Sequence, residues 1–106
     1  MSNFVLISSQ NRLESGASTR CLQLAMNLAG LGHAVTVFMV QNGVFAACGD
    51  PIDVDEATRA GVRVLADAFS LRERGIAAQQ ISRAVQPSSL DFVVDRLAAG
   101  DKIVWH

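Results

Sequence analysis

Two cysteines, Cys21 and Cys48, are the residues of this chain best suited to covalent chemistry. They lie 27 positions apart and number too few for a disulfide scaffold or a four-ligand zinc site. What remains is the chemistry of a free thiol, which as thiolate attacks electrophilic sulfur or carbon. Cys21 sits inside a helical pattern whose polar residues Arg20, Gln23, Asn27 and Gly30 mark one stripe. A helix turns by about 100° per residue, which places Cys21 opposite that stripe and toward the core, where a thiol behaves as a small hydrophobe. Cys48 follows a short helical turn, Val44 to Cys48, between Ala46-Ala47 and the turn Gly49-Asp50-Pro51. Two readings stand for it: a reactive thiol on a loop, or packing beneath that loop.

The other polar candidates are sparser. His33 and His106 have no clustered carboxylates or thiols around them, so no metal centre is expected. Neither a Gly-x-Gly-x-x-Gly nor a P-loop pattern follows the first apolar run, and no cofactor is expected. Ser8 and Ser9 close that run, placed either to hydrogen-bond an anion or to satisfy their own backbone. Arg72 and Arg74 flank Glu73 ahead of Gly75. They suit the C-terminal end of a helix, or an electrostatic contact at a subunit interface, with Phe69 and Leu71 as its apolar neighbours.

These residues belong to a chain of 106 residues, enough for one domain spanning 1–106. Hydrophobic residues make up 50% and charged residues 18%, which excludes a disordered segment. A net charge of -1 argues against binding nucleic acid through its phosphates. No apolar run is long enough to span a bilayer, and the start Met1-Ser2-Asn3-Phe4 lacks a basic region, so no membrane association and a cytoplasmic setting are expected.

Apolar runs and helical periodicities alternate along the chain. Strands are expected at Phe4–Ile7, Ala34–Val40 and Val62–Ala66, with a short one near Ala84-Val85 and a last one at Lys102–Trp105. Helices are expected over 16–31, 53–60 and 67–74. A final helix is capped by Ser88, with Asp91 completing a capping box. In that helix Leu90, Val93, Val94, Leu97 and Ala98 form an amphipathic stripe expected to face the core. The alternation predicts a three-layer α/β/α sandwich around a mostly parallel sheet of about five strands. Functional loops then emerge at the carboxyl ends of the strands: 8–15, 41–50 and 67–75.

Three stretches, in order, resemble the DsrE/DsrF/DsrH-like proteins, the group containing the TusB, TusC and TusD sulfur-relay subunits. They are the opening from Phe4 through Leu31, Gly32-His33-Ala34-Val35-Thr36-Val37-Phe38 running into Asn42-Gly43-Val44, and Gly61-Val62-Arg63-Val64 leading to Ser70-Leu71-Arg72-Glu73-Arg74-Gly75-Ile76. The ending Asp101-Lys102-Ile103-Val104 fits as well. The resemblance implies the same α/β/α fold, a cytoplasmic setting, and homo-oligomers (trimers or hexamers) or hetero-oligomers with other sulfur-relay subunits. It also implies a persulfide-carrying cysteine three positions before the Ser-Leu-x-x-Arg-Gly stretch, a position occupied here by Asp67.

A carboxylate cannot carry sulfane sulfur. Asp67 is expected to cap the following helix or to serve a remodelled pocket. Three functions are therefore in play. The first is a non-catalytic or accessory subunit of sulfur trafficking. The second is a sulfurtransferase with Cys48 as a displaced acceptor. The third is a small-ligand module with a pocket of Ser8, Ser9, Asn42, Gly43 and Asp67.

Overall fold

The structure is a computed structural model and describes residues 2–10, 17–48 and 52–106. Five strands form one sheet: β1 (Asn3–Ser8), β2 (Ala34–Met39), β3 (Arg63–Asp67), β4 (Val85–Ser88) and β5 (Lys102–Trp105). The spatial order is β4-β3-β2-β1-β5, and every neighbouring pair is parallel. Parallel strands need crossovers, and four helices supply them: α1 (Ala17–Gly30), α2 (Ile52–Arg59), α3 (Ala68–Glu73) and α4 (Leu90–Ala98). A 3₁₀ segment, Gln41–Ala47, follows β2, and a shorter one, Ala78–Gln80, precedes β4. The fold is thus the expected α/β sandwich. No helix among the described residues is long and apolar enough to cross a membrane.

The helices divide unequally between the two faces. On one face Leu6, Val35, Val37, Met39, Val64, Ala66 and Val85 pack with Cys21, Leu22 and Ala25 of α1, Val54 and Ala57 of α2, and Leu71 of α3. On the other, Val5, Ile7, Phe38, Val40 and Leu65 are covered by Phe92 and Val93 of α4. Both sides of β2 and β3 are therefore buried, which is why Ala34–Met39 reads as an almost unbroken apolar run. Cys21 is fully buried, and Arg20, Gln23, Asn27 and Gly30 are solvent-facing, as the helical stripe requires. Gly32 ends the helical region at φ +93°, a conformation that costs glycine little and other residues more.

Two expectations near the C-terminus are corrected. Ser88 does not cap α4. It pairs with Asp67 as the last residue of β4, and Ser89 takes the cap position without a side-chain cap hydrogen bond. The capping box with Asp91 is consequently not formed. Of the apolar stripe of α4, only Val93 faces the core. The sheet side is taken by Phe92 and Val93, while Leu90, Val94 and Leu97 are 57%, 61% and 62% exposed and Ala98 is exposed. Phe92 decides the rotation. Its ring lies parallel to that of Phe38, 6.2 Å between centroids, and the Arg63 guanidinium covers it at 5.2 Å.

Candidate functional site

The registers align the carboxyl ends of the strands, so that Ser8 lies beside Met39, Met39 beside Ala66, and Asp67 beside Ser88. Loops leaving this rim are held together by side chains. Asp67 ends β3 in extended backbone and is 4% exposed. Its Oδ2 accepts from the Ser70 amide at 3.0 Å, capping α3, and from the Ser70 hydroxyl at 2.7 Å. The same hydroxyl oxygen accepts from the Gln41 amide at 2.8 Å, which ties the loop after β2 to α3. Gln41 adopts φ +51°, an uncommon conformation for a residue with a side chain, and this hydrogen bond helps to hold it.

Arg74 closes the joint from outside. Its Nε donates to Asn42 Oδ1 at 3.0 Å and its Nη1 to the Ser70 carbonyl at 3.3 Å. Gly43 fits against β1, where a Cβ would collide with the Ser8 carbonyl oxygen and lie 2.9 Å from its carbon. Gly43→Ala should therefore destabilise the fold by about 1–3 kcal/mol, because backbone on both sides must give way. Urea unfolding followed by circular dichroism measures it, and an unchanged midpoint refutes the close approach.

The two thiols are placed differently. Burial pushes the Cys21 thiol up to about 11, partly offset by a side-chain hydrogen bond with Ser8. The folded protein holds that proton more tightly than the unfolded chain, whose thiol loses it near the ordinary value of 9.0. Stability contributed by this group is complete below pH 9 and lost progressively as the pH rises toward 11, in total by about 3 kcal/mol. Comparing the pH slope of wild type and Cys21→Ala by denaturant titration tests this, and equal slopes refute it.

Cys48 is half-buried, and burial raises its thiol too. Its Sγ lies 3.9 Å from the Val44 carbonyl, and its backbone forms an antiparallel bridge with Ile81. The Ser82 amide donates to the Ala47 carbonyl at 2.9 Å, and the Ser82 hydroxyl to Asp55 at 2.7 Å. Cys48 is thereby stitched to the segment before β4 and to α2, whereas Asp67, Ser70, Gln41, Asn42 and Arg74 form a separate network.

Of the pocket residues expected from sequence, Asn42 and Asp67 are joined through Ser70 and Arg74, and Gly43 lies on Ser8. Ser8 is buried and Ser9 half-buried. No cavity opens among the described residues. The chain segments 11–16 and 49–51, which include part of two of the expected functional loops, lie outside those residues. Ser70 was not singled out in the sequence. The signal for it was a hydroxyl three positions after Asp67, at the spacing of an N-cap pair.

The expected interface residues also separate. Phe69 and Arg72 are exposed. Leu71 is 5% exposed within the core, and the half-buried Arg74 is engaged by Asn42 and Ser70. Leu71 faces inward because α3 packs that side of its turn on the β3 face.

Comparison with solved structures places this arrangement. The YchN protein of E. coli superposes over 100% of both chains with a TM-score of 0.85 at 18% identity. The chain has a DsrE-like fold. A protein of unknown function from Methanobacterium thermoautotrophicum, MTH1491, matches over 100% of both chains with a TM-score of 0.79 at 22% identity. BT1422 of Bacteroides thetaiotaomicron, also of unknown function, has a TM-score of 0.82 at 13% identity over 99% of this chain and 95% of its own. No family model matches the chain, and no curated protein matches it.

Proposed function

We propose that this DsrE-like chain is an oligomeric accessory subunit of cytoplasmic sulfur trafficking, assembling as a homo-oligomer or with cysteine-bearing relay subunits, without carrying sulfur at position 67. One observation supports the reading above others. Where the resembled proteins keep an acceptor thiol, this chain has a buried carboxylate committed to capping α3 and to the Ser70 hydroxyl. The position serves as a joint between loops and offers no nucleophile. Intact mass after incubation with a persulfide donor tests it, together with copurification against cysteine-bearing relay subunits. The expected outcome is no stable sulfur adduct and a stable complex. A sulfur adduct, or a chain that neither self-associates nor binds any such subunit, overturns it.

A second reading is sulfur transfer through Cys48, favoured by its partial exposure beside a wholly buried Cys21. The Cys48 thiolate would attack the sulfane sulfur of a donor persulfide. A new S–S bond forms, the donor S–S bond breaks, and the donor leaves as a thiolate, with no external oxidant. An adduct that disappears in Cys48→Ser supports this reading. An adduct that persists there overturns it.

A further inference from the structure

β5 is an edge strand that pairs only with β1 among the described residues, and it carries exposed apolar side chains, Trp105 at 64% and Val104 at 37%. The opposite edge is guarded. β4 carries Pro87, which has no N–H to offer a newcomer. β5 has no such guard, and the orientation of its backbone is fixed. The His106 amide donates to the Ile7 carbonyl at 2.8 Å, so residues 104 and 106 turn their backbone groups toward β1. By alternation Ile103 and Trp105 turn theirs outward.

Those outward groups suit a second copy of the same strand. In an antiparallel pairing about a two-fold axis at Val104, Ile103 lies opposite Trp105 of the partner subunit and Val104 opposite the partner's Val104. Each Ile103–Trp105 pair exchanges both its N–H···O bonds, and the Val104 pair is the close, non-bonded kind. Ile103 and Trp105 share a sheet face, as their register with Val5 and Ile7 shows, so the match joins aromatic and β-branched side chains on one face. Lys102 is the only charge on β5. In this register the two Lys102 residues are offset by four positions, about 13 Å, beyond the Debye length at physiological salt.

The rotation of α4 points the same way. Phe92 leans toward β2 and β3, where it meets Phe38 and Arg63. Val93 and Leu97 lie about 100° and 140° further round the helix, on the β5 side, while Asp95 lies on the side of β4. The exposed apolar flank of α4 and Trp105 therefore border the same edge of the same face.

We infer that the outer edge of β5 is a two-fold interface at which a second copy of this chain pairs antiparallel about Val104, continuing the sheet, with Trp105 and the Leu97 flank of α4 as its apolar cover. This rests on the oligomeric part of the proposed function and is independent of sulfur chemistry. An isologous contact of this kind builds a dimer, or the two-fold of a larger even assembly.

The test uses the full chain carrying Cys48→Ser with Val104→Cys, oxidised at micromolar concentration, and Gln86→Cys on β4 as the matched control. Most of the Val104→Cys protein is expected to become disulfide-linked dimer, and the control to stay unlinked. Sedimentation of the wild type should show an even assembly. Ile103→Pro, which removes an outward N–H and spares those bonded to β1, should halve it, as should the milder Trp105→Lys. An oligomer without the Val104 crosslink, or with an odd number of subunits, overturns the interface and leaves the oligomeric reading standing. A monomeric wild type overturns the interface and the homo-oligomeric form of the proposed function.

Discussion

Replacing Asp67 by alanine should cost about 2–4 kcal/mol of stability. The loss has two parts. The N-cap of α3 disappears, which typically costs about 1 kcal/mol. The Ser70 hydroxyl, buried and bonded to Asp67 at 2.7 Å, is left without its acceptor, at about 1–3 kcal/mol. Asp67→Asn keeps an oxygen for the Ser70 amide and hydroxyl and should lose about 1 kcal/mol. Chemical denaturation of the three proteins measures the series. If Asp67→Ala is as stable as wild type, the carboxylate is not a structural joint and the accessory reading loses its main support. The effect should also reach the loop after β2. Ser70 links Asp67 to the Gln41 amide, so that amide should exchange with solvent faster in Asp67→Ala.

Phe38→Ala should be more damaging, at about 3–5 kcal/mol. Phe38 is fully buried between Ile7 and Leu65, its partners in register, and beneath Phe92. That face of the sheet is covered by α4 alone among the described helices, only nine residues long, and the helix presents few groups able to settle into the hole. Domains of this size are typically stable by about 5–15 kcal/mol, so the variant should be partly unfolded at physiological temperature. Thermal and urea transitions monitored by circular dichroism report it. A loss below about 1 kcal/mol would mean that α4 repacks freely over the sheet.

The elements of this fold were largely legible in the residues. The apolar runs at 4–7, 34–40 and 62–66 and the polar stripe of α1 are local patterns. They fall where β1, β2, β3 and α1 are found because burial on two faces, or on one helical side, leaves a periodic trace. β4 was harder to see. Val85-Gln86-Pro87-Ser88 has one buried residue, and an edge strand with one covered position carries almost no hydrophobic signal. The candidate site was legible only in part. Asp67 stood out by its place after β3, whereas its partners Ser70, Gln41 and Arg74 belong to two loops that only the folded chain brings together.

The amino-acid sequence by itself determined the alternation of strands and helices, the inward setting of Cys21, and the carboxylate at position 67. Each depends on residue type and on spacings within one element. The tertiary structure decided the rest: the strand order, the commitment of Asp67 to Ser70, and the outward turn of Leu90, Val94 and Leu97. The last case shows the physical reason. Periodicity fixes which residues of α4 share a side, but the rotation of that helix is set by what the sheet offers it. Here the stacking of Phe92 on Phe38 under the Arg63 guanidinium claimed the inner side and left the stripe beside the open edge of β5.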